Sequence, residues 1–210
     1  HAGKSCSAVA APCGYGPMRE RCGLRLLCCA SALPPAVARG VLPGVEGRLA
    51  TGFDLQKAHI YLPAFPTRLT LYCAPDVAAP DVEGSVLSPQ DVLRDRDYGL
   101  WAGQSLRDVG MEEQVSFLSD AGFAPPEGES FAAAYQRMAR WFDGLEQDGA
   151  VAVVLARPAV VRNLILRVLY QEETPVSMAR AARVDVLPHS YSLLSSHAGR
   201  WRVGMLSAPA

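Results

Sequence analysis

The stretch that most constrains the fold runs Val151-Ala-Val-Val-Leu-Ala-Arg-Pro-Ala-Val-Val-Arg-Asn-Leu-Ile-Leu-Arg-Val-Leu169. Val151 to Leu155 is a continuous apolar run rich in β-branched residues, the pattern of a strand covered on both faces. Pro158 suits the first turn of a helix, where its missing amide proton costs nothing. Val161, Leu164, Ile165, Val168 and Leu169 then recur at helical spacing, with Arg162, Asn163 and Arg167 off that stripe. A buried strand feeding a helix is the repeating unit of parallel α/β sheets, which place their chemistry where strand hands over to helix. Arg157 occupies that point.

Further elements fit this unit. Leu24 to Ala30 and Leu69 to Cys73 read as strands, and Ser85 to Leu93 as a weaker one. Residues 33–50 are interrupted by Pro and Gly and read as loop, and residues 54–62 as a short helix that Pro63 ends. A long helix is predicted from Ser130 to Glu146, on the apolar stripe of Phe131, Ala134, Tyr135, Met138, Trp141, Phe142 and Leu145. Ser130 is its cap, and Gly149 lies past its end. The tail turns to β: Arg183–Leu187, Tyr191–Ser195 and Arg200–Met205, the last two joined through Ser196-His-Ala-Gly199. Residues 1–23, small and aperiodic, read as a poorly ordered extension to a domain spanning 24–210. The expected architecture is a three-layer α/β sandwich, a largely parallel central sheet with helices on both faces.

A net charge of -1 over 210 residues gives no electrostatic case for nucleic acid or an anionic membrane. No run approaches the ~20 apolar residues of a bilayer span. Six cysteines, at positions 6, 13, 22, 28, 29 and 73, form no CxxC pair. They are expected to be reduced thiols in a cytoplasmic protein. A zinc site from Cys6, Cys13 and Cys22 is the remote alternative, because spacings of seven and nine fit no common zinc knuckle. No metal or cofactor is expected.

Four segments, in order, carry a resemblance: Asp95-Arg-Asp-Tyr-Gly-Leu-Trp-Ala-Gly103, Gly128-Glu-Ser130, Ala156-Arg-Pro-Ala-Val-Val-Arg162, and the closing tail from Arg183 to Arg202. Together they resemble the histidine phosphatase superfamily, the phosphoglycerate mutase-like proteins. In that family a first strand ends in Arg-His-Gly, whose His is phosphorylated. A second strand leads through Ser-Pro to a helical Arg, an acidic residue donates a proton, and a later strand ends in a second His. The resemblance puts Asp95 at the proton donor.

At the other chemical positions the chain departs from the pattern. Cys28-Cys29-Ala30 stands for Arg-His-Gly, with Cys29 at the nucleophile; Ala74-Pro75 stands for Ser-Pro, with Ala78 at the helical Arg; Arg157 stands for the second His. The connection from Ala78 to Asp95 also looks too short for the family's helix. A cysteine phosphatase cradles its thiolate in a glycine-rich loop with Arg six residues on. Here that position is Pro35, and a strand-end cysteine in a core stays a thiol. The other histidines, His1, His59, His189 and His197, fall outside the motif positions and read as surface residues, and Trp101 as packing. The expectation is a degenerate member without phosphohydrolase activity. Its role would be binding, scaffolding or regulation, with Arg157 available to a small anionic ligand, or through a protein partner. The alternative is a diverged phosphohydrolase that uses Cys29 or Asp95 with Arg157 on a small phosphorylated metabolite.

Overall fold

The computed structural model describes residues 22–44, 47–62, 69–145, 150–171 and 176–210. Expectations that fall on residues 1–21 (Cys6 and Cys13 among them), on Pro63 and on Gly149 lie outside these residues.

The chain enters β1, Cys22–Ala30, whose Leu26, Leu27, Cys28, Cys29 and Ala30 are wholly buried. Two short helices follow, α1 at Pro35–Ala38 and α2 at Leu55–Tyr61. Asp54 caps α2 by accepting from the Gln56 and Lys57 amides. Strands β2, Leu69–Cys73, and β3, Ser85–Pro89, are parallel neighbours. They are joined by residues 74–84 with no helix, so the connection is as short as the sequence implies. After β3 the chain leaves the sheet in a 3-10 turn at Asp91–Leu93.

Helix α3, Met111–Ser119, has no counterpart among the elements predicted from sequence. Its Met111, Val115 and Leu118 face solvent and only Phe117 is buried, so its apolar spacing marks no core-facing stripe. Helix α4 runs over Phe131–Asp143 with Ser130 as its cap. It stops earlier than predicted: Gly144, not a residue beyond 146, receives the chain and donates to the carbonyls of Arg140 and Trp141. Strand β4, Val151–Ala156, and helix α5, Pro158–Leu169, form the unit expected from the sequence. After the single turn of α6, Met178–Ala181, the hairpin of β5, Ser190–His197, and β6, Arg200–Pro209, closes the fold. Its two-residue loop, Ala198-Gly199, takes positive φ at both residues, the turn that matches strand twist.

Arg183–Leu187 is not a strand. Val184 and Val186 are buried, which produces the alternation seen in the sequence. Strand β5 is already paired on both sides, by β1 and β6, and leaves this stretch no ladder to join.

The sheet order is β3-β2-β4-β1-β5-β6. The first four strands are mutually parallel, β5 runs antiparallel to β1 and β6 antiparallel to β5, a largely parallel sheet flanked by helices. The register decides where the site lies. Ala30 pairs Ala156, and both Cys29 and Cys73 pair Leu155, so β1, β2 and β4 end almost level. Their outgoing loops share one edge of the molecule, as the carboxyl ends of open parallel sheets require. Leu155, fully buried between two strands, anchors that edge. Leu155→Ala is expected to cost about 2–5 kcal/mol, read as a lower urea midpoint with an unchanged slope.

Candidate active site

Three loops converge on Arg157. The residue sits at the N-cap of α5 with extended backbone, which directs its side chain away from the helix and over the sheet edge. From the loop after β2, Asp76 places Oδ2 2.7 Å from Arg157 Nε. From the segment after the 3-10 turn, Asp95 places Oδ2 3.6 Å from Arg157 Nη1. The Arg157 side chain is 5% exposed, and those of Asp76 and Asp95 are 20% and 12% exposed. The two carboxylate segments also touch each other, the Asp95 amide donating to Asp76 Oδ2 at 3.4 Å.

Burial pushes the Asp95 carboxyl above its ordinary range, and Asp76 adds to the effect; the Arg96 amide, Arg157 and Arg162 pull it back. The amide contact is direct, Arg96 N donating to Asp95 Oδ1 at 2.8 Å. Beside it the Tyr98 phenol is also pushed up, by burial first and by the Asp95 charge second.

The Asp95 loop is held from behind. Arg137 of α4 grips Glu129 with Nε at 3.0 Å and Nη2 at 2.7 Å. The same guanidinium donates to the carbonyls of Val92 at 2.6 Å, Arg94 at 3.2 Å and Asp95 at 3.4 Å. The Arg96 guanidinium donates to the carbonyls of Glu129 and Phe123 and lies over the Phe117 ring. Gly128 and Gly99 allow the two segments to cross: a Cβ at Gly99 would lie 2.1 Å from the Pro126 carbonyl oxygen. The Gly128-Glu-Ser130 segment therefore does more than open a helix. Its glutamate and Arg137 fix the loop that carries Asp95. Glu129 lies before the Ser130 cap and Arg137 inside the helix, eight residues on, so no helical spacing marked this pair in the sequence.

Around Arg157 lie two lobes, of about 290 and 260 Å³. Pro43, Asp95, Tyr98 and Arg157 line both. The first lobe carries charged side chains, Asp76, Arg94 and Asp97 among them; the second is apolar, with Leu33, Val37, Val41, Leu42, Leu106 and Pro158.

Of the residues singled out in the sequence, the structure brings together Asp95 and Arg157. Cys28 and Cys29 do not line either lobe. Both are fully buried, and the Cys29 thiol donates to the Thr51 carbonyl at 3.4 Å. Burial pushes the Cys29 thiol up to about 12 and that of Cys28 further in the same direction. Ala78 lies off the cleft, its amide bound to the Leu49 carbonyl. Asp76, which the sequence reading did not single out, stands beside Arg157 instead. Two positions before Ala78, in a loop with no helix, it offered no periodic signal. Trp101 packs against Phe117 and Phe123, and His59, His189 and His197 are exposed. Among the described residues no group of three metal-ligating side chains is found, and no helix is long and apolar enough to cross a membrane.

The level strand ends, the arginine at the β4–α5 junction and the carboxylate loop braced by α4 define a parallel α/β protein with a carboxyl-edge cleft. The model of the histidine phosphatase superfamily (branch 1) matches residues 78–208, more than half of the chain. The chain belongs to that superfamily. The matched region takes in Asp95, Gly128-Glu-Ser130 and Arg157, and begins beyond Cys28-Cys29-Ala30. Among solved structures, a mycobacterial hydrolase is similar with a TM-score of 0.66 at 18% identity, over 90% of this chain and 100% of that one. The alpha-ribazole phosphatase of Shigella flexneri gives 0.64 at 19%, over 89% and 98%. A mycobacterial glucosyl-3-phosphoglycerate phosphatase complexed with VO3 gives 0.62 at 18%, over 88% and 99%. Among curated proteins none matches the sequence.

Two stability measurements test the geometry. Arg157→Met leaves two carboxylates facing each other in a part-buried site and is expected to cost about 3 kcal/mol. Asp95 has a folded-state pKa above its unfolded one, so the folded protein holds a proton that the unfolded chain releases. Wild-type stability then falls as pH rises from the ordinary carboxylate range through the raised value, and stays lower above it. Asp95→Asn removes that dependence. Relative to wild type, the variant is expected to gain stability between about pH 4 and pH 8, measured by urea unfolding at both.

Proposed function

We propose that this chain is a catalytically silent histidine-phosphatase-fold protein whose Arg157 cleft binds a ligand without turning it over. The single observation that carries this reading is the state of Cys29. The residue that the resemblance places at the family's nucleophile is wholly buried and engaged with the Thr51 carbonyl, and burial pushes its thiol up to about 12. Phosphoryl transfer needs an exposed nucleophile in line with the leaving oxygen. Among the described residues lining the cleft there is no histidine to serve. Asp95 keeps a raised pKa of the kind a general acid uses, but a proton donor alone has no covalent intermediate to act on.

What supports binding is the cleft itself, concave, two-lobed and floored by charged groups on rigid supports. Arg157 is central to it, with a carboxylate on each side, so an anion entering the cleft competes with Asp76 and Asp95 for the guanidinium. The alternative, a phosphohydrolase working through Cys29 or Asp95, makes the opposite prediction in one experiment. With p-nitrophenyl phosphate as probe, purified protein is expected to release no phosphate above the buffer rate, and to incorporate no acid-labile phosphate. Steady turnover that disappears in Asp95→Ala or Cys29→Ala would establish the enzyme instead.

A further inference from the structure

The two lobes of the cleft differ sharply in chemistry, and the difference points to the kind of molecule that fills them. The apolar lobe, about 260 Å³, is walled by Leu33, Val37, Val41, Leu42, Leu106 and Pro158. Such a space favours a compact hydrocarbon group, each buried methylene contributing about 0.8 kcal/mol. The charged lobe joins it at Asp95, Tyr98 and Arg157.

The charges of that lobe are already matched. Arg157 faces Asp76 at 2.7 Å and Asp95 at 3.6 Å, and Arg162, from α5, also acts on Asp95. The Arg157 guanidinium is thus already met by two carboxylates. At the rim Arg94 pairs with Asp91 at 2.8 Å. The Arg96 guanidinium is spent on two backbone carbonyls, and Asp97 Oδ1 accepts from the Gly99 amide at 2.8 Å. A charged head group entering here loses its hydration and meets no surplus of opposite charge. An uncharged hydroxyl or amide pays far less and can both donate to a carboxylate and accept from Tyr98 or Arg157.

We infer that the ligand of this cleft is a small uncharged molecule with a compact apolar group and a hydroxyl or amide head, an alcohol rather than its phosphate ester. The inference rests on the non-hydrolytic reading above and narrows it to a ligand class. The apolar group occupies the lobe of Val37 and Leu106, and the head lies at Asp95 and Tyr98.

Benzyl alcohol and benzyl phosphate are the matched probes, followed by amide resonance shifts of the full chain, with inorganic phosphate as control. Benzyl alcohol is expected to shift resonances of Gly40, Leu42, Tyr98 and Leu106, and benzyl phosphate to bind about tenfold more weakly or worse. Leu33→Glu, at a rim position 37% exposed, is expected to weaken benzyl alcohol about fivefold. Val37→Thr, a milder change inside the lobe, acts in the same direction and guards against a folding failure of the first variant. Equal or tighter binding of intact benzyl phosphate overturns the ligand class, as does the absence of benzyl alcohol shifts in the cleft or indifference of both variants. Release of phosphate from benzyl phosphate is a separate outcome: it overturns the non-hydrolytic reading on which the inference stands.

Discussion

The guanidinium of Arg157 between two carboxylates is the contact on which the geometry of the cleft depends. It joins three segments: the β4–α5 junction, the turn after β2, and the loop after β3. Each is delivered by a different strand end, and the level termination of β2, β3 and β4 makes the delivery possible. A shift of β4 by one residue would turn the Arg157 side chain to the other side of the edge, because side chains alternate along a strand. The continuous burial of Val153 to Ala156 resists such a slip.

The electrostatic consequence separates this site from one built to take phosphate. A phosphate pocket concentrates unpaired cationic groups and amide protons so that a dianion arriving from water finds compensation. Here compensation is internal. Asp76 and Asp95 supply to Arg157 what an anion would supply elsewhere, and Asp95 carries the strain as a raised pKa. Two carboxylates against one guanidinium limit what the cleft can hold. That a shared scaffold hosts different sites is the general rule for common folds.

Much of the scaffold was legible in the sequence, because burial leaves a periodic trace. The apolar run of β4, the stripe on α5 and the stripe on α4 each record which face meets the core. Where burial and pairing part company the trace misleads. Val184 and Val186 alternate inward from a segment with no ladder, while α3 exposes three of its apolar side chains and leaves no inward stripe. The site was legible only in part. Arg157 stood out because a strand–helix junction is a position with a known geometry, and Asp95 because its neighbours carry a motif. Asp76 lay in a loop, where spacing says nothing about which residue points inward.

Cys28 and Cys29 show why position along a motif is weaker than placement in the fold. The resemblance puts Cys29 near the end of the first strand, and β1 runs one residue further, to Ala30. Yet a strand with both faces covered gives its last side chains no route to the edge unless the chain turns outward at that point. In this chain Ala30 is still paired with Ala156 and with Ser190, and the Thr51 carbonyl caps the Cys29 thiol. Ser31 donates its amide to the Ala156 carbonyl and so extends the parallel pairing one step further. The thiol is therefore enclosed one step before the strand releases the chain, while Arg157, just past the end of β4, emerges into the cleft. One residue of further pairing is enough to keep the Cys29 thiol in the core.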